Sequence, residues 1–172
     1  MFSTILLSIT IFLSEPLIII DANQIPTEIP LMLRWVNPKS NEIISIEQTV
    51  SPWKEHINNY SLQYNIDPAL VAAVLYTESR GNPNAVSHVG AQGLMQIMPN
   101  TGGSLGMKDA FDPQDNIHTG VKYIAQLMNH YDDDEYYTLW AWNAGSRRVA
   151  NGVMPSETKK FISKVMMLKE QL

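Results

Sequence analysis

A mainly α-helical domain is predicted for this chain, and three observations predict it. Apolar residues recur three and four apart in separate segments, around Trp53 to Tyr64, Leu70 to Leu75, Ile117 to Met128 and Phe161 to Leu168. Two of these follow helix-start chemistry, Ser51-Pro52 and Asp67-Pro68. The chain has 172 residues, 45% hydrophobic and 17% charged, with no cysteine, so it is one domain plus extras that must build its own apolar core.

The elements follow in order. Apolar runs from Ile5 to Leu13 and Leu17 to Ile20 are separated by Glu15 and Pro16. Together they fall short of the roughly 20 residues of a spanning helix, and a mid-membrane charge would cost ~2.5–3.5 kcal/mol. Residues 1–22 are therefore read as an export signal cleaved after Ala22, with an uncleaved N-terminal anchor or a buried arm as the alternatives. In residues 23–50 the prolines at 26, 30 and 38 argue against a long helix. A short β-hairpin is one reading there, Leu31 to Trp35 pairing back with Glu42 to Ile46; a plain spacer or a strap is the other. The main domain is placed at 51–172.

Within it, Trp53, Ile57, Tyr60 and Tyr64 share one helical face, expected to pack against the next helix. That helix is capped by Asp67, carries Leu70, Val71, Val74 and Leu75 on its apolar face, and ends by Gly81. Glu78 thus lies in its last turn. The carbonyl end of the dipole and apolar neighbours both favour the protonated carboxyl, the state a general acid needs near neutral pH. Beyond it, Gly90 and Gly93 permit close backbone approach, while Met95, Ile97 and Met98 supply apolar wall. Asn84, Ser87 and His88 offer hydrogen-bonding groups. Thr101 is expected to cap a further helix, and Phe111-Asp112-Pro113 to close a loop. Asp132 to Glu135 lacks the spacing and glycine of a calcium loop and reads as a solvated turn before a helix from about Tyr136. Phe161, Val165 and Leu168 belong to the closing helix.

Several function classes are disfavoured. Formal charge is −5, and losing residues 1–22 with Glu15 and Asp21 would leave −3, so there is no basic stripe for nucleic acid. Histidines 56, 88, 118 and 130 show no metal-ligand spacing, and no serine lies in a nucleophile elbow. Ordinary glycosidases need two facing carboxylates, yet Asp109, Asp112 and Asp115 have no spacing that points at Glu78.

Three motifs in order carry a resemblance over roughly residues 51 to 168. They are Glu78-Ser79 with Asn82 to Ser87, Gly90-Ala91, Gly93 to Pro99 and Thr101; then Ala141-Trp142-Asn143-Ala144-Gly145; then Pro155 with Glu157-Thr158. This pattern resembles the soluble lytic transglycosylase family. The resemblance implies a lysozyme-like helical domain with a cleft, acting on the glycan strands of peptidoglycan. It implies Glu78 as acid and then base at the bond between N-acetylmuramic acid and N-acetylglucosamine, the muramyl N-acetyl group helping, to leave 1,6-anhydro ends. Ser87, Gln96, Met98, Trp142 and Asn143 would bind the sugars. No metal or organic cofactor is required, and a monomer in the periplasm or cell envelope is expected, possible partners being a secretion or conjugation apparatus. Goose-type lysozyme hydrolysis and a non-catalytic wall-binding module are the rival readings.

Departures from the family bear on the acid. Trp142 and Phe161 stand where the family has tyrosine, and Gly102 where it has alanine. Losing two phenols predicts a drier Glu78 with a higher pKa and a less secured orientation. Tyr123, in the shared pattern Asp112-Pro113, Asn116-Ile117, Gly120 and Tyr123, is expected to be structural.

Overall fold

A computed structural model describes residues 46–172. The readings for residues 1–22 lie outside these, as does the hairpin except for Ile46. That residue is helical and fully buried. Residues 46–50, expected in the spacer, form a helical turn whose Ile46 and Val50 join the core. A 3-10 turn, Ser51–Trp53, leads into α1, Lys54–Tyr64. There follow α2, Pro68–Ser79; α3, Pro99–Leu105; α4, Pro113–His130; α5, Glu135–Ala144; α6, Ser146–Ala150; and α7, Ser156–Lys169. Among the described residues the only β pairing is two isolated bridges, Val86 with Gln92 and Gln92 with Ile97. No helix among them is long and apolar enough to cross a membrane.

The second helix is the axis of the domain. Asp67 caps it by accepting from the Ala69 N–H at 2.9 Å, and Pro68 fills the first helical position. Every residue from Leu70 to Tyr76 is buried, so the helix is enclosed all round rather than on the single face expected from its periodicity. α1 covers one side and α7 another. Each fully buried Leu or Val here contributes about 1.5–3 kcal/mol. The helix stops when Arg80 turns left-handed at φ 53°, its N–H returning to the Tyr76 carbonyl; Gly81 at φ 73° continues the reversal.

Packing of α1 differs from expectation in a specific way. Ile57 is buried, but Tyr60 and Tyr64 lie against His118 of α4, with ring centroids 4.7 and 5.7 Å away and a 2.8 Å hydrogen bond between the Tyr64 hydroxyl and His118 Nε2. The face is shared between α2 and α4. In α3 Met98 holds the cap position without a side-chain bond, and Thr101 lies inside the helix rather than capping it. A β-carbon on Gly102 would come within 2.3 Å of Met107 Cε, so glycine here makes room for that methionine.

Aspartates organise the remaining turns. Asp112 caps α4 through the Asp115 N–H, and Asp115 Oδ2 accepts from the Lys108 and Asp109 N–H groups. Asp134 caps α5 through Tyr137 N–H, after Asp132 and Asp133 have turned left-handed. Phe161, Val165 and Leu168 of α7 are buried as their spacing predicts. At its far end Lys169 ties Asp67, at 3.2 Å, to Glu135.

Candidate active site

Between α2 and α3 the chain must form a stiff wall without regular structure. It does so through one buried side chain. Asn116 of α4 accepts from Met95 N–H at 2.7 Å and donates to the carbonyls of Gln92 at 3.1 Å and Ala110 at 2.9 Å. Gly93, at φ 76°, lies so close that a β-carbon would sit 2.1 Å from the Ala110 carbonyl. Gln96 is left-handed at φ 48°, and its amide holds that turn by donating to Ala85 and Gly93 carbonyls at 3.1 and 2.9 Å. Ser87 pairs with Ala91 through both backbone and side chain: its hydroxyl oxygen accepts from Ala91 N–H at 2.9 Å, leaving the O–H free to donate.

This wall faces α4 and α5 across a cleft of about 420 Å³. The cleft brings together all six residues singled out in the sequence: Glu78 from the end of α2, Ser87, Gln96 and Met98 from the wall, and Trp142 and Asn143 from α5. Asn82 and Asn84 stay in their own turn, where Asn84 N–H donates to Asn82 Oδ1. Phe161 is buried in the core and is not among the residues that line the cleft.

Tyr123 and Thr101 also line the cleft, and neither was singled out as a site residue in the sequence. A signal for Tyr123 was present. The buried stripe of α4 runs through Ile117, Val121, Ile124 and Leu127, and Tyr123 falls beside it. Its ring stacks at a tilt on Trp142, centroids 5.4 Å apart, and burial pushes its phenol pKa up.

Glu78 is the one carboxylate among the lining residues. Burial pushes its pKa from 4.5 up to about 7, against an opposing hydrogen bond from Trp142. That bond runs from the indole N–H to Glu78 Oε1 at 2.8 Å. The expected loosening of the acid is thereby overturned: tryptophan supplies the donor that fixes it. Asn143 is held in turn, its Oδ1 accepting from Thr158 Oγ at 2.7 Å, which joins the second motif to the third. Among the described residues no group of three His, Asp or Glu could hold a metal ion.

Fold and cleft together define a lysozyme-like helical domain built around a single protonatable carboxyl. The chain belongs to the family described as Transglycosylase SLT domain, which matches residues 55–164. Among its relatives is the "Transglycosylase" of Enterobacteria phage PRD1, 44% identical over 114 residues that make up 66% of this chain and 42% of the phage protein. Another is the "Membrane-bound lytic murein transglycosylase C" of Sodalis glossinidius, 33% identical over 61% of this chain and 34% of the relative. The 70 kDa soluble lytic transglycosylase of Escherichia coli superposes with a TM-score of 0.64 at 25% identity, covering 68% of this chain and 23% of that one. The complex of the 70-kDa soluble lytic transglycosylase with bulgecin A gives 0.65 over the same shares. The chain thus spans less than half the length of these relatives.

Proposed function

We propose that this domain is a peptidoglycan lytic transglycosylase in which Glu78 serves as acid and then as base. The observation that carries the reading is a cleft with one carboxylate, buried enough to keep its proton near neutrality and aimed by an indole N–H. A lone carboxyl cannot run the two-carboxylate routes of ordinary glycosidases, so the substrate must supply the second group. Protonated Glu78 gives its proton to the glycosidic oxygen between N-acetylmuramic acid and N-acetylglucosamine. The muramyl N-acetyl oxygen stabilises the cation left at the anomeric carbon. Glu78, now a carboxylate, takes the proton of the muramyl 6-hydroxyl, whose oxygen closes on that carbon to give a 1,6-anhydro end. No water is consumed.

Around this centre, Ser87 and Gln96 supply polar contacts, Met98 and Trp142 apolar wall, and Asn143 an amide for the sugars. A site in the periplasm or envelope fits this substrate, as do an export segment at 1–22, a spacer from 23 to about 45 that ends where Ile46 and Val50 join the core, and a role in opening the wall locally for a secretion or conjugation machine. The test is digestion of purified sacculi by the wild type and by Glu78→Gln, with released muropeptides read by mass spectrometry. Anhydro ends that vanish in the variant are expected. Reducing ends would make the enzyme a hydrolase, and binding without release would make it a wall-binding module.

A further inference from the structure

Outside the cleft the molecule carries a second concentration of rings, at the turn joining α4 to α5. Tyr131 and Tyr137 stack with centroids 6.1 Å apart and an interplanar angle of 23°. Tyr137 stacks again on Trp140, at 5.9 Å and 19°, and Tyr136 meets Tyr137 edge-on at 5.9 Å. Tyr136 and Tyr137 are 47% and 44% exposed, an unusual burden for two adjacent aromatics that the core does not need.

Position relates this cluster to the cleft. On α5 Tyr136 and Tyr137 stand seven residues before Asn143 and Ala144, on the same face of the helix, and the latter two line the cleft. Seven residues span about 10 Å. Tyr131 is the residue that caps the C-terminus of α4, eight positions after the cleft residue Tyr123. Both helices therefore lead from the cleft to the rings. The Tyr136 hydroxyl donates to Met154 Sδ at 3.6 Å, in the loop after α6, and α6 itself begins where cleft residue Gly145 ends. The rings thus border the segment that leaves the cleft.

Charge selects among occupants. Asp132, Asp133, Asp134 and Glu135 immediately precede the two tyrosines, and the first three are exposed. A cluster of carboxylates repels phosphate polymers and anionic lipid surfaces. Flat ring faces and phenol hydroxyls beside them suit an uncharged, hydroxyl-rich ligand with an apolar face, which is the description of a pyranose ring.

We infer that Tyr136 and Tyr137, backed by Tyr131 and Trp140, form an auxiliary platform that holds the N-acetylated sugar rings of a glycan strand beyond the cleft. The platform rests on the reading of the cleft as a glycan-cleaving site, and it adds binding rather than chemistry. Long strands gain contact there; short ones fill the cleft and never reach it.

The test uses the full chain with Glu78→Gln to stop turnover, and titrates it with a short and a long N-acetylglucosamine oligosaccharide. Tyr136→Ala with Tyr137→Ala should weaken the long ligand about tenfold, the order expected from losing two ring contacts, and leave the short one unchanged. Phenylalanine at both positions should restore most of the affinity, because faces rather than hydroxyls carry it. Tyr136→Ala alone, whose ring has the fewer partners, keeps the test valid if the double variant unfolds. Equal weakening of both ligands, or of neither, would overturn the platform. Cleavage is read separately: if wild-type protein releases nothing from sacculi while the length-dependent loss persists, the enzymatic reading fails and the platform stands.

Discussion

Replacing Trp142 by phenylalanine keeps a flat apolar wall and removes one atom pair, the indole N–H and Glu78 Oε1 held at 2.8 Å. A hydrogen bond to a charged group is worth about 1.5–3 kcal/mol, and one to a neutral group about 0.5–1.5. The indole therefore favours the carboxylate over the acid by roughly 1–1.5 kcal/mol, which is about one pKa unit. Burial, the larger effect, still operates in the variant, so its Glu78 pKa should rise from about 7 by about one unit. The first step needs the protonated form, so kcat/KM should fall as pH rises through that pKa. Measured on a soluble muramyl oligosaccharide from about pH 5 to about pH 9, the alkaline limb should move upward by about one pH unit. The low-pH plateau should drop about tenfold, because the acid has lost its aim. An unmoved limb, or one shifted downward, would refute the assignment of the indole as a carboxylate-stabilising donor.

Two further outcomes test the scaffold and the acid from the side of stability. Because burial raises the Glu78 pKa above its ordinary 4.5, folding releases less stability once pH climbs from 4.5 to about 7, where the unfolded carboxyl has ionised and the folded one has not. Glu78→Gln should be nearly neutral at low pH and more stable than wild type at pH 8, by at most about 3 kcal/mol and less to the extent that cleft water screens the charge; a gap that does not change with pH in urea unfolding would count against the raised pKa. Asn116→Ala leaves the Met95 N–H and the Ala110 carbonyl of the cleft wall without partners, while the Gln92 carbonyl keeps the Ile97 N–H, and should cost about 2–4 kcal/mol. A loss below about 1 kcal/mol by the same measurement would mean that the wall does not depend on it.

What could be read from the chain depended on whether its physics was local. Asp67-Pro68 announces a helix because both cap and first-turn geometry lie within three residues, and the position of Glu78 in the last turn follows by counting. The all-round burial of that helix was not legible in the same way: Ala72, Ala73 and Tyr76 fill the face that spacing left open, and only the packing of α1 and α7 reveals it. The family resemblance brought forward six residues that the fold does assemble around one cleft. It did not bring forward Tyr123, whose partner Trp142 is nineteen positions away on another helix, nor show that the side chain of Phe161 turns to the core. Orientation across helices is a property of their packing. The bond from Trp142 to Glu78, sixty-four positions apart, is of the same kind.

That bond also explains how one helix can serve as both the axis of the core and the seat of the acid. Enclosing α2 on all sides gives the domain its core, and the same enclosure strips water from the glutamate at its end. Without any partner, a carboxyl so placed would hold its proton more firmly and be a weaker acid in the first step. With several donors, it would ionise below neutrality and could not act as an acid in the first. A single indole donor against dominant desolvation puts the group near the midpoint between these limits. On the proposed mechanism, a residue with two roles in one cycle needs this balance. The Trp142 indole can only donate, so it favours the carboxylate form and makes the alkaline limb the place where its loss should be read.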